Sequence, residues 1–481
     1  MSLPEPIRRN LLLLVVCVAQ LMVILDVSIV NVALPSIHDD LDYTTTGLQW
    51  VVNAYTLTFA GFLLLGGRAA DLLGRRRVFV AGTAIFTLAS VLCAVAGSQV
   101  TLDGARALQG FGAAVISPAT LAILTTSFAE GRERNRALGV WGAMGGIGGS
   151  IGALLGGLLT QDLGWPAIFI INVPIGLAVI FASLRLVPEG RGQLEHRHFD
   201  ATGAILVTVG LVALVYGIVR TDTLGWGSPG VLVPLAAGVL LIAAFAFVEG
   251  GVAKAPLIPA RIVRMGQLRA ANVVVFLLFG AIFAMWFFLT LWLQQVLGLD
   301  ALETGVAFLP LTLSIVAVTS FTARFIARFG AGRVLTAGML FASAGMALLS
   351  SVHAGGSYWA DVLPGGVLST IGLGLALVSG TIVAVQGVQA RDSGLASGLL
   401  NTSRLVGGAL GLAALSTLAA SYTADKVASG TSPAAALSDG FQVAFLAGAG
   451  ICLAGVVVSL LLLRRPAGAP AGAPEPESVA G

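Results

Sequence analysis

Three charged side chains sit inside long apolar runs: Asp26, Arg106 and Arg404. Asp26 is the only acid placed deep in such a run. Inserting an Asp at mid-helix in lipid costs about 2.5–3.5 kcal/mol on the translocon scale, so the residue needs a partner, a proton or a water-filled cavity. That makes Asp26 a candidate proton carrier; the competing role is a structural carboxylate bonded to a neighbouring helix. Arg106 lies one turn into a later run, with Gln109 at i+3 on the same side. Asp26 is roughly 12 Å below the end of its run at 1.5 Å per residue. Their depths permit pairing through a cavity, although Arg106 can also snorkel to the headgroups. Arg404, with Asn401 on the same face, either snorkels or anchors an anionic group of a ligand.

Phe276, Phe279, Phe283 and Trp286 recur at i, i+3, i+7 and i+10 and share one helical face. Such a stripe walls a cavity for flat apolar ligands or faces lipid. With no acid deep in the last six runs, neutral, zwitterionic or monocationic ligands are expected over dications. Enzyme motifs occur only out of context. Gly148-Gly-Ser-Ile-Gly152 matches a nucleophile elbow but lies in an apolar helical run with no strand before it. Gly225-Trp-Gly227-Ser-Pro-Gly230 matches a dinucleotide fingerprint but contains Pro229 and lacks the strand–turn–helix setting. No HExxH or CxxC metal pattern is present. Neither an enzyme nor a resident cofactor or metal is expected.

The elements that carry these residues follow from composition. Of 481 residues, 57% are hydrophobic and 10% charged, and the mean hydropathy is +0.95. A soluble domain is about 25% charged, so a soluble enzyme is excluded. The 62 glycines allow close helix approach in lipid. Cys17, Cys93 and Cys452 sit in apolar runs as free core thiols. The first run follows Pro4, Glu5, Pro6 and Arg8-Arg9 and is too long for a signal core, so it is expected to be kept.

A crossing helix needs about 20 apolar residues, which gives about fourteen spans. They lie near 11–34, 48–66, 78–97, 102–124, 137–160, 166–187, 201–219, 231–249, 270–296, 304–327, 333–352, 360–386, 395–422 and 440–463. With the N-terminus inside, nearly all Lys and Arg fall on one side, and only Arg220 and Lys426 fall outside. That asymmetry puts both termini in the cytoplasm. Two segments echo each other without gaps: 67–82, GRAADLLGRRRVFVAG, and 323–338, ARFIARFGAGRVLTAG. Gly148–Gly152 and Gly407–Gly411 form a second echo. The expected all-α membrane fold is two six-helix bundles with two extra helices between them, the plan of transporters with repeated halves. Residues 1–187 form the first bundle, 188–269 a cytoplasmic linker and the two extra helices, 270–463 the second bundle, and 464–481 a disordered tail.

Several segments match known motifs. The loop Gly67-Arg-Ala-Ala-Asp71-Leu-Leu-Gly74-Arg75-Arg76-Arg77 resembles the signature loop of the major facilitator superfamily, with Leu72 at a usually basic place. Leu25-Asp26-Val-Ser28-Ile-Val-Asn31-Val-Ala-Leu34-Pro35 resembles the first-span element of its fourteen-helix drug:proton antiporters, with Ser28 for Thr. Arg106-Ala-Leu-Gln109-Gly110-Phe-Gly112 resembles that family's proton-coupling element. The segments at Trp165–Gly176 and Gly398–Arg404 are also similar to the family. The antiporter element of span 5 departs from the pattern, with Ala153 where Pro is usual.

The resemblance implies an exporter of small amphipathic molecules, such as drugs, antibiotics or dyes, driven by protons through rocking of two halves. It implies a proton-coupling set of Asp26, Arg106 and Gln109. The inner gate would be Gly67, Asp71, Gly74, Arg75, Arg76 and Arg77. Gly145, Gly149, Gly152, Gly156 and Gly157 would form the packing face of the antiporter helix. The substrate cavity would hold Asn31, Phe276, Phe279, Phe283, Trp286, Asn401 and Arg404. The partners would be protons, a small-molecule substrate and the lipid bilayer, without nucleic acid, and the protein would act as a monomer in the cell membrane. A symporter on the same fold and a non-transporting receptor remain the alternatives.

Overall fold

The computed structural model describes residues 4–44, 46–129, 132–189, 201–252, 265–386, 388 and 393–463. Among them the long elements are helices: α1 (Glu5–Leu41), α2 (Trp50–Leu73), α3 (Arg75–Ala94), α4 (Gln99–Ser127), α5 (Arg132–Leu163), α6 (Asn172–Leu186), α7 (Ala201–Val219), α8 (Pro229–Phe247), α9 (Gly266–Leu291), α10 (Leu309–Phe329), α11 (Ala331–Leu349), α12 (Leu363–Val385), α13 (Ser393–Ala428) and α14 (Pro433–Leu462). Thirteen spans, some including an adjoining short turn, are long and apolar enough to cross a membrane. The remaining helix, α5, has 32 residues and contains the apolar run Ile151–Leu163. Residues 190–200, most of the expected linker loop, and the tail 464–481 lie outside the described residues.

Several helices overrun their apolar runs. α1 has 37 residues and continues through Asp39 and Asp40 to Leu41, because a helix need not end where lipid ends. Capping boxes fix two other starts. Ser98 and Thr101 cap α4 reciprocally, and Asp300 and Glu303 cap the short helix Ala301–Ala307 ahead of α10.

The packing repeats. α1 lies on α5, and α4 lies between α2 and α3; α9 lies on α13, and α12 lies between α10 and α11. In both sets glycines permit the closest approach. Gly152 abuts Ser28 and Gly156 abuts the Ile29 carbonyl, whereas Gly407 abuts Phe276 and Gly411 abuts Gly280. The loop echo repeats as geometry too. Gly74 joins α2 to α3 at φ 109°, ψ 127°, and Gly330 joins α10 to α11 at φ 85°, ψ 148°. Both lie in a region essentially reserved for glycine.

The two sets meet most firmly at the face away from the chain termini. There Gln294 Nε2 donates to the Val32 carbonyl at 2.9 Å and Gln161 Nε2 to Asp300 Oδ2 at 3.1 Å. Gly157 lies against Ala301 and Leu302, and Gly305 against Ala153. Both hydrogen bonds join the first six-helix set to the segment between α9 and α10. α7 packs on α2 and α13, and α8 packs on α7. α8 is peripheral: its apolar window is 11% buried, against 67% for that of α9.

Candidate functional site

Asp26 lies about three-fifths of the way along α1, and no part of its surface is exposed. Three helices supply its partners. Arg106 Nη1, from α4, donates to Oδ2 at 2.5 Å. Gln109 Nε2, one turn further, donates to Oδ1 at 2.7 Å, and Asn172 Nδ2, at the start of α6, donates to Oδ1 at 3.2 Å. The i, i+3 spacing of Arg106 and Gln109 is what lets one helix face grip both carboxylate oxygens.

Arg106 is held independently of the carboxylate. Its Nε donates to the Val51 carbonyl at 2.8 Å and its Nη1 to Gln109 Oε1 at 2.6 Å. The guanidinium carbon lies 4.5 Å from the Tyr55 ring centroid and 5.7 Å from that of Phe169. Cation–π contact of this kind strengthens when desolvated. Gln109 Nε2 also donates to Ser90 Oγ at 2.9 Å, which fixes its amide. Removing one member of a buried ion pair is normally costly because a bare charge is left behind. Here a protonated Asp26 would leave Arg106 with a carbonyl, an amide oxygen and two aromatic rings. The cluster can therefore hold the carboxyl group in either charge state.

The pairing of Asp26, Arg106 and Gln109 agrees with their placement by helix depth. Snorkelling of Arg106 does not occur: the residue is 1% exposed. Asn172, Tyr55 and Ser90 complete the cluster and were not singled out as members of it. Asn172 lies in the segment Trp165–Gly176, where an amide in an apolar run is the available signal. Tyr55 and Ser90 are ordinary residues of apolar helices and gave none. Above the cluster, in the loop after α1, Tyr43 Oη donates to Asp103 Oδ1 at 2.9 Å. Burial and that carboxylate push the phenol well above its ordinary range.

The glycine face of α5 runs in a register different from the expected one. Gly148, Gly152 and Gly156 face α1, at Ile24, Ser28 and Ile29. Gly149 has nothing within 4 Å of where a Cβ would stand, and Gly157 faces Ala301 and Leu302 instead. Gly145 lies in the helix without a described environment. Ser28 Oγ donates to the Gly148 carbonyl at 2.9 Å and closes the α1–α5 seam.

In the loop between α2 and α3, Gly74 makes the turn and Gly67 sits against Pro118 of α4. Arg76 Nη2 pairs with Glu189 at 2.8 Å and Arg77 Nε with the same carboxylate at 3.6 Å. Arg75 faces the same pocket as Val187 and Glu189. Glu189 follows α6 and was not foreseen, because a charge in a hydrophilic loop carries no signal. The side chain of Asp71 lies outside the described ones.

The remaining expected cavity residues fall on α1, α9 and α13. Asn31 Nδ2 turns back to the Val27 carbonyl at 3.1 Å. Phe276, Phe279, Phe283 and Trp286 are each partly exposed, on a helix most of whose other residues are buried. Phe279 and Phe283 meet edge to face at 5.8 Å, as do Trp286 and Phe308 at 5.0 Å. Phe283 packs with Leu405 and Val406 against the core of α1–α4, so this part of the stripe faces the other half of the molecule and not lipid. Asn401 and Arg404 are partly exposed on α13.

Two helical sets related by an internal repeat and latched at one face, the first holding a buried ion pair, form the fold of a polytopic membrane transporter. The chain belongs to the Major Facilitator Superfamily, whose family model matches residues 16–412. It is similar to a cephamycin export protein of Amycolatopsis lactamdurans, at 42% identity over 413 residues and 85% of each chain. It is also similar to a puromycin resistance protein of Streptomyces alboniger, at 40% identity over 467 residues, 96% of this chain and 92% of that one. Among solved structures, a POT family transporter matches at TM-score 0.70 with 17% identity, covering 94% of this chain and 97% of that one. A bacterial homologue of the human lysosomal transporter Spinster, inward-facing and unoccupied, matches at 0.68 with 16% identity, covering 96% and 98%. Both likenesses are of fold. The protein is thus a multi-pass cell-membrane transporter of small molecules, not an enzyme. Among the described residues, no group of three or more His, Cys, Asp or Glu is placed to hold a metal.

Proposed function

We propose that this transporter exports small amphipathic molecules, antibiotics or dyes among them, in exchange for protons, as a monomer and without a cofactor. The observation that carries the reading is the buried carboxylate of Asp26, gripped by Arg106, Gln109 and Asn172. Arg106 keeps other partners when Asp26 is protonated, so the site has two stable charge states, as a coupling ion requires. The similar proteins named for antibiotic export and resistance support the direction of transport.

Residues 1–187 and 270–463 are the two moving bodies, 188–269 holds the linker and two peripheral helices, and 464–481 is the tail. The distribution of Lys and Arg supports cytoplasmic termini, which makes this conformation closed to the outside and inward-facing. Opening outward breaks the Gln294–Val32 and Gln161–Asp300 bonds and slides the glycine seam between α1 and α5. The loop from Gly67 to Arg77, held to Glu189 through Arg76 and Arg77, works as the inner gate. Asn31, the aromatic face of α9, Asn401 and Arg404 border the substrate space.

Inside-out vesicles with an acid lumen test the reading. An amphipathic dye added to the medium is expected to accumulate inside while protons leave. Expulsion of preloaded dye together with the leaving protons would replace antiport by symport, and gradient-independent distribution of the dye would overturn proton-driven transport.

A further inference from the structure

Arg404 differs from Arg106 in having no anionic partner among the described residues. A guanidinium carries five N–H donors. In Arg404 one nitrogen, Nη2, does the bonding: to Thr381 Oγ1 at 3.0 Å and, at a long 3.4 Å, to the Leu377 carbonyl. Its Nε is buried without a partner. Among the described residues, the ion pairs of the second half, His353–Asp361 and Lys426–Asp439, lie at the far ends of their helices. A cation within a membrane span that meets only neutral acceptors is costly and marks a ligand path by default.

The surroundings say what the ligand would be. The guanidinium carbon lies 5.7 Å from the centroid of Phe279, which in turn meets Phe283 edge to face. Phe283 packs against the core of the first half, so this aromatic pair borders the space between the halves. On the neighbouring turns of α13 and α9, Ser403 donates to Asn272 Oδ1 at 2.7 Å, and Asn272 donates to the Leu268 carbonyl at 2.8 Å. Arg404 thus keeps unused charged donors, Nε among them. Its planar fork suits a carboxylate or similar oxyanion, and the Phe279–Phe283 pair suits a flat ring. Arg404 is also about 16 Å from the first residue of α13 at 1.5 Å per residue, well below a headgroup layer.

We propose that Arg404 is the anion anchor of the substrate site, taking the carboxylate of an aromatic amphipathic molecule whose ring lies on Phe279 and Phe283. The inference rests on the export reading and narrows its substrate class.

The test is equilibrium binding of two matched dyes to the purified protein in phosphatidylcholine nanodiscs. Rhodamine 110 carries a free carboxyl group, and rhodamine 123 is its methyl ester. The wild type is expected to bind the acid at least about tenfold more tightly than the ester, the size of a well-formed charge-assisted contact. Arg404→Gln should remove that preference, weakening the acid at least about tenfold more than the ester. Arg404→Lys keeps the charge without the fork and should fall between them; it carries the test if the Gln variant does not fold. Equal wild-type affinities, binding of neither dye, or an equal loss for both dyes in the variants would overturn the inference. Disappearance of the preference on adding phosphatidylglycerol would assign the site to a lipid headgroup and overturn it too. Proton-driven uptake of rhodamine 123 into vesicles reports separately on the export reading.

Discussion

The two halves share a scaffold and differ in chemistry. In each, a glycine face of the fifth helix lies on the first: Gly152 and Gly156 on α1, Gly407 and Gly411 on α9. In each, a glycine in the same restricted backbone region turns the second helix into the third, Gly74 and Gly330. The first half then places a closed ion cluster on its first helix. The second half places aromatic rings on its first helix, with Arg404 of α13 over one of them. Shape repeats where packing demands small residues. Charge does not repeat, because each buried charge has its own purpose and its own partners.

That contrast can be broken first at the two arginines. Arg106→Gln leaves the Asp26 carboxylate buried without its cation and should destabilise the protein by about 3–5 kcal/mol. Arg404→Gln removes a cation that has no anionic partner among the described residues, so its cost should be well under half of that. Detergent-solubilised thermal or denaturant unfolding measures both, and equal losses would erase the distinction between the halves.

The seam comes next. Gly152→Leu drives a side chain into Ser28 and should cost about 1–3 kcal/mol as overpacking. Gly149→Leu, one turn earlier with open space beside it, should be close to neutral in the same unfolding assay. The reverse order would restore the register first expected for α5. The smallest effect concerns the turn. Gly74→Ala and Gly330→Ala each force a side chain into a glycine conformation, at about 1 kcal/mol or slightly more. Similar shifts in unfolding midpoint would confirm that the loop echo is a structural repeat.

The sequence alone exposes much of the fold and the centre of the site. Hydropathy marks the spans because lipid demands them, and a lone Asp26 stands out because few other acids share its surroundings. The i, i+3 pair Arg106 and Gln109 is visible for the same reason. Other features are hidden. With glycine at four of the six positions from Gly145 to Ser150, composition cannot decide which face of α5 meets α1. Tyr55 joins the cluster through its ring, and aromatic residues in apolar helices are common. Glu189 lies among other loop charges, so its pairing with Arg76 depends on tertiary placement. The overrun of α1 past its apolar run has no hydropathic signal at all.

The most direct test of the account separates coupling from movement at Asp26. Purified wild type and Asp26→Asn are reconstituted, and two rates are measured for one exported dye: uphill accumulation driven by a pH gradient, and dye–dye exchange with no gradient. The account predicts that Asp26→Asn loses uphill accumulation, by about 100-fold or more, while exchange persists. Undiminished proton-driven accumulation in the mutant would contradict the role assigned to Asp26. Equal loss of both rates would show instead that the carboxylate serves the structure of the first half.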